Sequence, residues 1–383
     1  MKQTGIKILP CSTIGILGGG QLGRMFTIAA RTMGYNVIVL DPDTNSPAGK
    51  LASQHICADY RDKAALEILS NQCDAVTTEF ENIPAEILAE LEQTIPVRPS
   101  SQAVTITQDR IQEKSFLKDN GFPTAPFAIV ESLDDLKAAT QTIGTPAILK
   151  VSRFGYDGKG QFSVNSEADI EQAWSSLKAE VCVLELRMPL DMEVSVVLAR
   201  GSEGEVITYP VSENIHEGGI LDVSIVPARI EPNLESKVLE MATKIADALD
   251  YVGVMAVEFF ISNGKLLVNE IAPRPHNSGH YTLDACVTDQ FEQQVRAVCG
   301  LPLGDTRLLT PIVMINMLGD IWHDGAAPKW QKLLDHPNVK LHLYGKQEAR
   351  PGRKMGHFTV LSANINDALT LAKDLKQQLY LIN

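Results

Sequence analysis

The feature that most limits the fold is a glycine turn between a strand and a helix near the start of the chain. Residues 13–17 are apolar enough for a buried strand, and Gly18, Gly20 and Gly23 follow with G-x-G-x-x-G spacing. Helical periodicity continues from there, and a second apolar stretch ends at Asp41. A strand, a glycine turn, a helix and a second strand in this order predict the opening of a doubly wound α/β sheet.

The glycine turn alone leaves the ligand open. Closely spaced glycines let backbone N–H groups and a helix N-terminus approach a phosphate, and Asp41 stands where a dinucleotide-binding fold has its ribose-binding acid. The motif is therefore compatible with NAD, with another phosphorylated ligand, or with a structural tight turn. An NAD-dependent oxidoreductase is one hypothesis for this chain.

Charge and hydropathy argue against two classes of partner. The 383 residues include 47 acidic and 34 basic side chains, and the net charge of −13 argues against nucleic acid. No stretch approaches the roughly 18 apolar residues of a membrane helix, and the start lacks the apolar core of a signal peptide. We therefore expect no membrane contact and a cytoplasmic location. Anionic substrates would need a local basic cluster, which the sequence offers at Lys346, Arg350, Arg353 and Lys354.

A second glycine-rich loop, residues 155–160, lies between the predicted strands 147–151 and 161–164. It is not a Walker A loop, because its lysine has no Ser or Thr after it and a strand follows instead of a helix. This layout predicts a mobile flap over nucleotide phosphates, with Lys150 beneath it as a point charge. An exposed hairpin tip is the alternative.

Two glutamates in apolar strands predict a metal site. Glu258 and Glu270 lie in the predicted hairpin 254–271, where a carboxylate is costly unless it is paired or binds a metal. A two-residue turn would send them to opposite faces. A three-residue turn at residues 262–264, with a left-handed glycine, puts both on one face as diagonal neighbours about 7 to 8 Å apart. We predict the three-residue turn and magnesium ions held jointly with substrate phosphates.

The segment after the hairpin offers an anion-binding residue. The planar guanidinium of Arg274 suits bicarbonate or a phosphoryl group. His276 and His280 have the i, i+4 spacing of a zinc pair, but Pro275 and Gly279 disfavour a helix there and the sequence places no third ligand. We therefore predict an anion site and no zinc.

These segments occur in an order that resembles the ATP-grasp ligases over nearly the whole chain, and most closely the branch that carboxylates an aminoimidazole ribonucleotide in purine biosynthesis. The segments that carry the resemblance are GGGQLGRM from Gly18, TEFEN from Thr78, DR at Asp109, FGYDGKGQ from Phe154, NEIAPRPHNSGH from Asn269, YGK from Tyr344 and RKMGH from Arg353. Many relatives have an asparagine two residues after the second metal glutamate, whereas this chain has Ala272 there and Asn269 before it.

The resemblance implies both a fold and a reaction. The fold is of mixed α/β and α+β class: an N-terminal Rossmann-like domain (residues 1–107), a small α/β lid (108–188), an ATP-grasp core (189–310) and a mixed C-terminal domain (311–383). In the reaction, ATP phosphorylates bicarbonate to carboxyphosphate, which carboxylates the amine of 5-aminoimidazole ribonucleotide. Mg²⁺, or Mn²⁺ in its place, and a homodimer are implied too. The alternatives are a ligase for a different amine and a nucleotide-binding subunit without catalysis.

The resemblance also implies roles for individual residues. Glu258 and Glu270 would hold the metal, and Asp157, Arg274 and Lys346 would take part in catalysis. Residues implied to surround ATP are Arg110, Lys150, Gly155, Tyr156, Asp157, Gly158, Lys159, Gly160, Gln161, Glu185, Leu186, Arg187, Met188, Glu193, His216, Asn269 and Glu270. Those implied to bind the ribonucleotide or bicarbonate are Gln21, Leu22, Glu79, Tyr156, Asp157, His276, Asn277, Ser278, Gly279, Lys346 and Arg353.

Overall fold

The strands form three sheets, which a computed structural model describes within residues 7–155, 158–178, 180–322 and 326–380. Among the helices of these ranges, none is long and apolar enough to span a membrane. Tyr156 and Asp157, two of the predicted site residues, lie outside the described ranges.

The first sheet is parallel and begins at the glycine turn. Its strands β1, β2 and β4 are buried along nearly their whole length, as expected when helices cover both faces of a parallel sheet. The strand order is β3-β2-β1-β4. The elements are β1 (Thr13–Leu17), α1 (Gln21–Thr32), β2 (Asn36–Leu40), β3 (Gln54–Ile56), α2 (Lys63–Gln72), β4 (Ala75–Thr78), α3 (Ala85–Leu91) and α4 (Ser101–Thr107).

The second sheet, here called the lid sheet, is small and antiparallel, with order β5-β8-β6-β7. Polar caps begin its helices: Ser132 accepts a hydrogen bond from the backbone N–H of Asp135, and Ser166 forms a capping box with Asp169. The elements are α5 (Arg110–Asp119), β5 (Phe127–Val130), α6 (Leu133–Ile143), β6 (Ala147–Val151), β7 (Gln161–Val164), α7 (Ile170–Ser176) and β8 (Cys182–Leu186).

The third sheet, the large sheet, has nine strands and runs without a break into the C-terminal part of the chain. Its order is β14-β13-β9-β11-β12-β15-β17-β16, with β10 paired to β9. The elements are β9 (Met192–Arg200), β10 (Val206–Thr208), β11 (Ser212–Glu217), β12 (Ile220–Val226), α8 (Pro232–Ala248), β13 (Gly253–Ser262), β14 (Lys265–Ala272), α9 (Thr282–Ala285), α10 (Gln290–Val298), β15 (Ile312–Leu318), α11 (Gln331–Leu334), β16 (Val339–Leu343), β17 (Lys354–Leu361) and α12 (Ile365–Tyr380).

The predicted three-residue turn between β13 and β14 is wrong. Ser262 pairs with Lys265, so the turn has two residues, and both have the positive φ of a type I′ turn: +49° at Asn263 and +70° at Gly264. A β-bulge nevertheless brings Glu258 and Glu270 to the same face of the sheet, as predicted. Asn269 is the extra residue of the bulge and shifts the register by one residue.

Candidate active site

The backbone N–H groups of the first glycine turn are hydrogen-bonded to two carboxylates of the chain itself. Glu79 accepts hydrogen bonds from the N–H groups of Gly20 (2.5 Å) and Gly23 (2.7 Å), and Asp41 accepts one from Gly19 (2.7 Å). These donors belong to the start of α1, where a helix N-terminus favours negative charge. A dinucleotide pyrophosphate would have to displace both carboxylates, so the turn does not favour NAD.

The first cavity, about 260 Å³, opens beside this turn. Its acidic lining residues include Glu79 and Asp41, and Asp41 also accepts a hydrogen bond from the Tyr60 hydroxyl at 3.0 Å. Its basic lining residues are Lys346 and Arg353, from the C-terminal part of the chain. The lining residues are Gly19, Gly20, Asp41, Asp43, Ser46, Pro47, Tyr60, Glu79, Phe80, Lys346 and Arg353.

Lys346, which lines the first cavity, also contacts helix α1. Its ammonium group donates to the Gln21 side-chain oxygen at 2.6 Å and to the carbonyl of Lys354 at 2.7 Å. The predicted pair Gln21 and Lys346 is thus in contact across 325 residues of sequence. The Leu22 side chain packs into the hydrophobic core.

The second cavity lies on the other side of the same loop. Glu81 and Asn82 line it, immediately after Glu79 and Phe80, which line the first cavity. Its other lining residues include two arginines from different parts of the chain. The full set is Glu81, Asn82, Thr107, Gln108, Arg110, Glu113, Ser152, Phe154, Gly155, Glu270, Ile271, Ala272 and Arg274.

Glu258 and Glu270 face each other on the large sheet. The register pairs them directly, so they lie on one face as opposite neighbours and not as the predicted diagonal ones. Burial, together with the charge of Glu270, raises the pKa of Glu258 to about 7. The Asn269 side-chain amide donates to Glu258 at 3.2 Å, and Arg110 donates to Glu270 at 3.2 Å. A cation shared between two oxygen-donor carboxylates would relieve their repulsion, so this pair fits Mg²⁺ completed by phosphate oxygens and water.

Helix α5 holds the strand that carries Glu270. β14 is an edge strand, so it has backbone groups without a neighbouring strand. Lys114 donates to the carbonyl of Asn269 at 2.8 Å, and Glu113 accepts from the N–H of Ile271 at 2.5 Å. Burial raises the pKa of Glu113 to about 8. The backbone on both sides of Glu270 is therefore fixed by two consecutive, almost fully buried side chains.

The same helix reaches the lid sheet through Glu185. This carboxylate lies 3.3 Å from the Lys114 ammonium and 3.1 Å from that of Lys150. Burial opposes its ionisation, but the charges of Lys150 and Lys114 outweigh burial and lower the pKa of Glu185 to about 2. Lys150 and Glu185, both predicted to bind ATP, are thus in contact, and Lys114 joins them to strand β14.

Gly158 of the predicted flap lies beside the large sheet. Gly158 (φ +75°) and Gly160 (φ +71°) are left-handed, so a side chain at either position would be strained. A Cβ placed on Gly158 would lie 3.0 Å from the carbonyl oxygen of Gly218, in the turn between β11 and β12. The predicted flap therefore packs beside an element that the sequence did not reveal.

Glu193 and His216 form a second polar pair on the same face of the large sheet as Glu258. The register pairs Ser195 with Glu258, and Glu193 is two residues before Ser195, so both glutamates face the same way. The His216 Nδ1 lies 2.9 Å from Glu193. Burial lowers the pKa of His216, but the nearby carboxylates of Glu193 and Glu258 together outweigh burial and raise the pKa overall.

The segment after β14 is tightly packed. The Ser278 hydroxyl is 2.8 Å from His276 Nδ1 and 2.7 Å from the Ser195 hydroxyl, and His276 Nε2 is 3.4 Å from Glu258. Burial lowers the pKa of His276 well below its usual value. The side-chain amide of Asn277 is buried, and neither of its polar atoms has a hydrogen-bond partner within the described residues. A buried amide of this kind is suited to a ligand.

The rings of three histidines pack together near the Lys346 loop. His357 stacks on His342 with ring centroids 4.5 Å apart, and its ring centroid lies 5.0 Å from that of His280. The Tyr344 hydroxyl, two residues before Lys346, is 2.9 Å from His357 Nδ1. Burial lowers the pKa of His280 and His357 well below the usual value.

Three family models match consecutive segments of the chain. Residues 11–108 match the ribonucleotide synthetase preATP-grasp domain, residues 115–291 the ATP-grasp domain, and residues 312–370 the phosphoribosylaminoimidazole carboxylase C-terminal domain. The chain is 48% identical over 355 residues to the N5-carboxyaminoimidazole ribonucleotide synthase of Bacillus subtilis, with 92% of each protein covered.

Solved structures give the same result. The ADP complex of an N5-carboxyaminoimidazole ribonucleotide synthetase has a TM-score of 0.93 and 46% identity, covering 97% of this chain and 98% of that one. The Aspergillus clavatus N5-carboxyaminoimidazole synthase in complex with ADP and 5-aminoimidazole ribonucleotide has a TM-score of 0.88 and 32% identity, covering 97% and 99%.

These matches confirm the fold implied by the sequence: a preATP-grasp domain of Rossmann type, an ATP-grasp domain and a third domain after it. The first and third matched domains contribute the acidic and the basic lining residues of the first cavity, and the ATP-grasp match contains Glu258 and Glu270. On this evidence the chain belongs to the N5-carboxyaminoimidazole ribonucleotide synthase family of ATP-grasp ligases.

Proposed function

We propose that this chain uses ATP and bicarbonate to carboxylate 5-aminoimidazole ribonucleotide, forming N5-carboxyaminoimidazole ribonucleotide, ADP and phosphate. One observation carries the proposal: consecutive residues of a single loop line both cavities, Glu79 and Phe80 the first and Glu81 and Asn82 the second. A carboxylation through an activated anion requires the amine beside the anion, and this loop brings the two compartments together.

ATP would bind between the lid sheet and the large sheet. Lys150 and Glu185 on the lid sheet, with Glu193 and His216 on the large sheet, form the two polar pairs of this cleft. Segment 186–188 connects the two sheets and would take part in the same site. Glu258 and Glu270 would hold Mg²⁺, or Mn²⁺, which would supply positive charge to neutralise the phosphate groups. Asn269, which donates to Glu258, would orient that carboxylate.

The other two substrates would share the compartments. Bicarbonate would lie in the second cavity against Arg274 and the segment 276–279, where the Asn277 amide is without a partner among the described atoms. The ribonucleotide would lie in the first cavity, with its phosphate at Lys346 and Arg353 and its amine toward Glu79 and the flap. The net charge of −13 makes this local pair of cations necessary for an anionic substrate.

The chemistry follows in two displacements. A bicarbonate oxygen attacks the γ-phosphorus of ATP, and ADP leaves. The substrate amine then attacks the carboxyl carbon of carboxyphosphate, the C–O bond to phosphate breaks, and the amine proton passes to a base, for which we propose Asp157 in the flap. Closure of the flap would exclude water from carboxyphosphate, which is short-lived in water.

The test is ADP release with magnesium ATP and bicarbonate, with and without 5-aminoimidazole ribonucleotide, by a coupled assay that does not depend on the labile product. Release that requires the ribonucleotide supports the proposal. Release without it, with another amine stimulating turnover, would instead indicate an ATP-grasp ligase for a different acceptor. The homodimer, the cytoplasmic location and the three boundaries between the four domains remain predictions.

A further inference from the structure

Glu81 and Arg274 form a two-point pair at the edge of the second cavity. The Arg274 Nε donates to one carboxylate oxygen of Glu81 at 2.5 Å, and its Nη2 donates to the other at 3.3 Å. The two residues are 193 positions apart in sequence and join the loop after β4 to the segment after β14. Both side chains line the second cavity. The pair is thus a contact between two domains at the place assigned to bicarbonate.

Geometry makes this contact an orienting one. An arginine side chain is long and flexible, and a carboxylate that accepts from Nε and Nη2 together fixes the plane of the guanidinium. Burial opposes ionisation of Glu81, but Arg274 outweighs burial and lowers the pKa of Glu81. The carboxylate therefore stays charged at neutral pH and keeps its hold on Arg274.

The composition of the second cavity explains why orientation matters. The cavity is lined by three carboxylates, Glu81, Glu113 and Glu270, and by two arginines. Arg110 pairs with Glu270, the metal ligand, and Arg274 pairs with Glu81. Each arginine of the cavity is therefore paired with a different carboxylate, and loss of Glu81 would release Arg274 alone.

We propose that Glu81 is a positioning residue that orients Arg274 toward the substrate anion. This inference rests on the proposed function, because it takes bicarbonate as the anion at Arg274. It adds a role for the second glutamate of the TEFEN segment. The first, Glu79, holds the glycine turn, so this one loop fixes a residue in each compartment.

The test measures the KM for bicarbonate, the KM for ATP and kcat in Glu81→Ala and Glu81→Gln. We expect Glu81→Ala to raise the KM for bicarbonate about tenfold and to leave the KM for ATP within about twofold, since the lost contact misplaces only the anion-binding group. Glu81→Gln keeps one acceptor oxygen and the side-chain volume. Its KM for bicarbonate should therefore fall between that of the wild type and that of Glu81→Ala. If Glu81→Ala does not fold, Glu81→Gln alone carries the test.

Two controls make the result specific. Glu86→Ala removes the partner of Arg61 in an exposed Glu–Arg pair of the same domain and should change none of the constants. In a double variant, Glu81→Ala added to Arg274→Ala should cause no further loss of kcat/KM for bicarbonate, because Glu81 acts only through Arg274.

Each other outcome would overturn the inference. An unchanged KM for bicarbonate would mean that Glu81 does not orient Arg274, and a lower one would mean that Glu81 blocks the anion site. A shift confined to ATP or to the ribonucleotide would place Arg274 in a different subsite. These outcomes are separate from failure of the proposed function, which would already show as wild-type enzyme without ribonucleotide-dependent ADP release.

Discussion

Glu258 lies directly opposite Glu270 across the β13–β14 hairpin, because one inserted residue corrects the register that the two-residue turn would otherwise set. Without the bulge at Asn269, the turn would place the two carboxylates on opposite faces of the sheet. The proposed metal site therefore depends on a β-bulge and not on the turn. The bulge also puts the Asn269 side chain in contact with Glu258.

We expect Glu270→Gln to abolish ADP release while leaving the fold intact, because the volume is kept but the metal loses an anionic ligand. Turnover with magnesium ATP is the measurement. The melting temperature without ligand should stay near that of the wild type, and its rise with magnesium ADP should shrink. The control is Glu240→Gln, in an exposed pair with Lys244. Near-normal turnover would contradict the metal assignment.

Lys114→Met should lower the free energy of unfolding by about 3 kcal/mol, because it leaves the Asn269 carbonyl without its donor and removes one of the two cations beside Glu185. Urea denaturation measures the loss. Lys118→Met, on an exposed turn of the same helix, is the matched control and should be nearly neutral. Equal stability of the two variants would mean that helix α5 does not hold strand β14 through Lys114.

The buried histidines predict that stability falls in acid. The pKa of His280 and His357 is lowered in the fold, so below the unfolded value of about 6.5 the unfolded chain binds more protons than the folded one. Their stabilising contribution is complete above that pH and is lost as the pH falls, by up to about 1.4 kcal/mol per pH unit for each histidine.

Denaturation between pH 5 and 8 checks this expectation. His357→Asn should be less stable at pH 8 but should lose stability more slowly on acidification, whereas His336→Asn, outside the stack, should keep the wild-type slope. An unchanged slope in His357→Asn would mean that this residue does not remain neutral in the fold.

Arg353→Ala should raise the ribonucleotide concentration needed for half-maximal rate, with little change for ATP, because Arg353 lines only the first of the two cavities. Steady-state kinetics with each substrate varied in turn gives both constants. Arg350→Ala is the control, since Arg350 is exposed and lines neither cavity. A change in the ATP constant alone would assign Arg353 to the nucleotide cleft.

Magnesium ADP should raise the melting temperature and NAD should not. Ligands stabilise by preferential binding to the folded state, and the turn donors that a dinucleotide would need are bonded to Glu79 and Asp41. Thermal melting with each ligand is the measurement. Stabilisation by NAD alone would favour the oxidoreductase hypothesis instead.

Local signals in the sequence were sufficient where structure is locally determined. The glycine turn and the strands around the flap were predicted from spacing and residue type, and the structure confirms them. Strands β11 and β12 were missed. The first of these reads Ser-Glu-Asn-Ile-His-Glu, which has no apolar alternation, because its polar side chains face other polar groups of the sheet.

Contacts between distant segments were not accessible from local patterns. Glu81 was noticed only as a letter in the TEFEN segment, because its partner Arg274 lies 193 residues away. Glu113 and Lys114 look like ordinary charges of a surface helix, and only the packing of α5 on the edge strand β14 makes them buried. The turn prediction failed because a bulge is invisible in residue type, so two registers fitted the same hairpin.

The pairing of β12 with β15 has a consequence for dissecting this protein. A truncation after residue 310 would remove β15, β16 and β17 and make β12 an unpaired edge strand. The backbone N–H and C=O groups of this largely apolar strand would then be exposed. Such an edge recruits other chains, so the shortened protein should aggregate. We therefore expect the C-terminal segment to fold cooperatively with the ATP-grasp core, so that the proposed ribonucleotide-binding residues Lys346 and Arg353 cannot be removed as a separate domain.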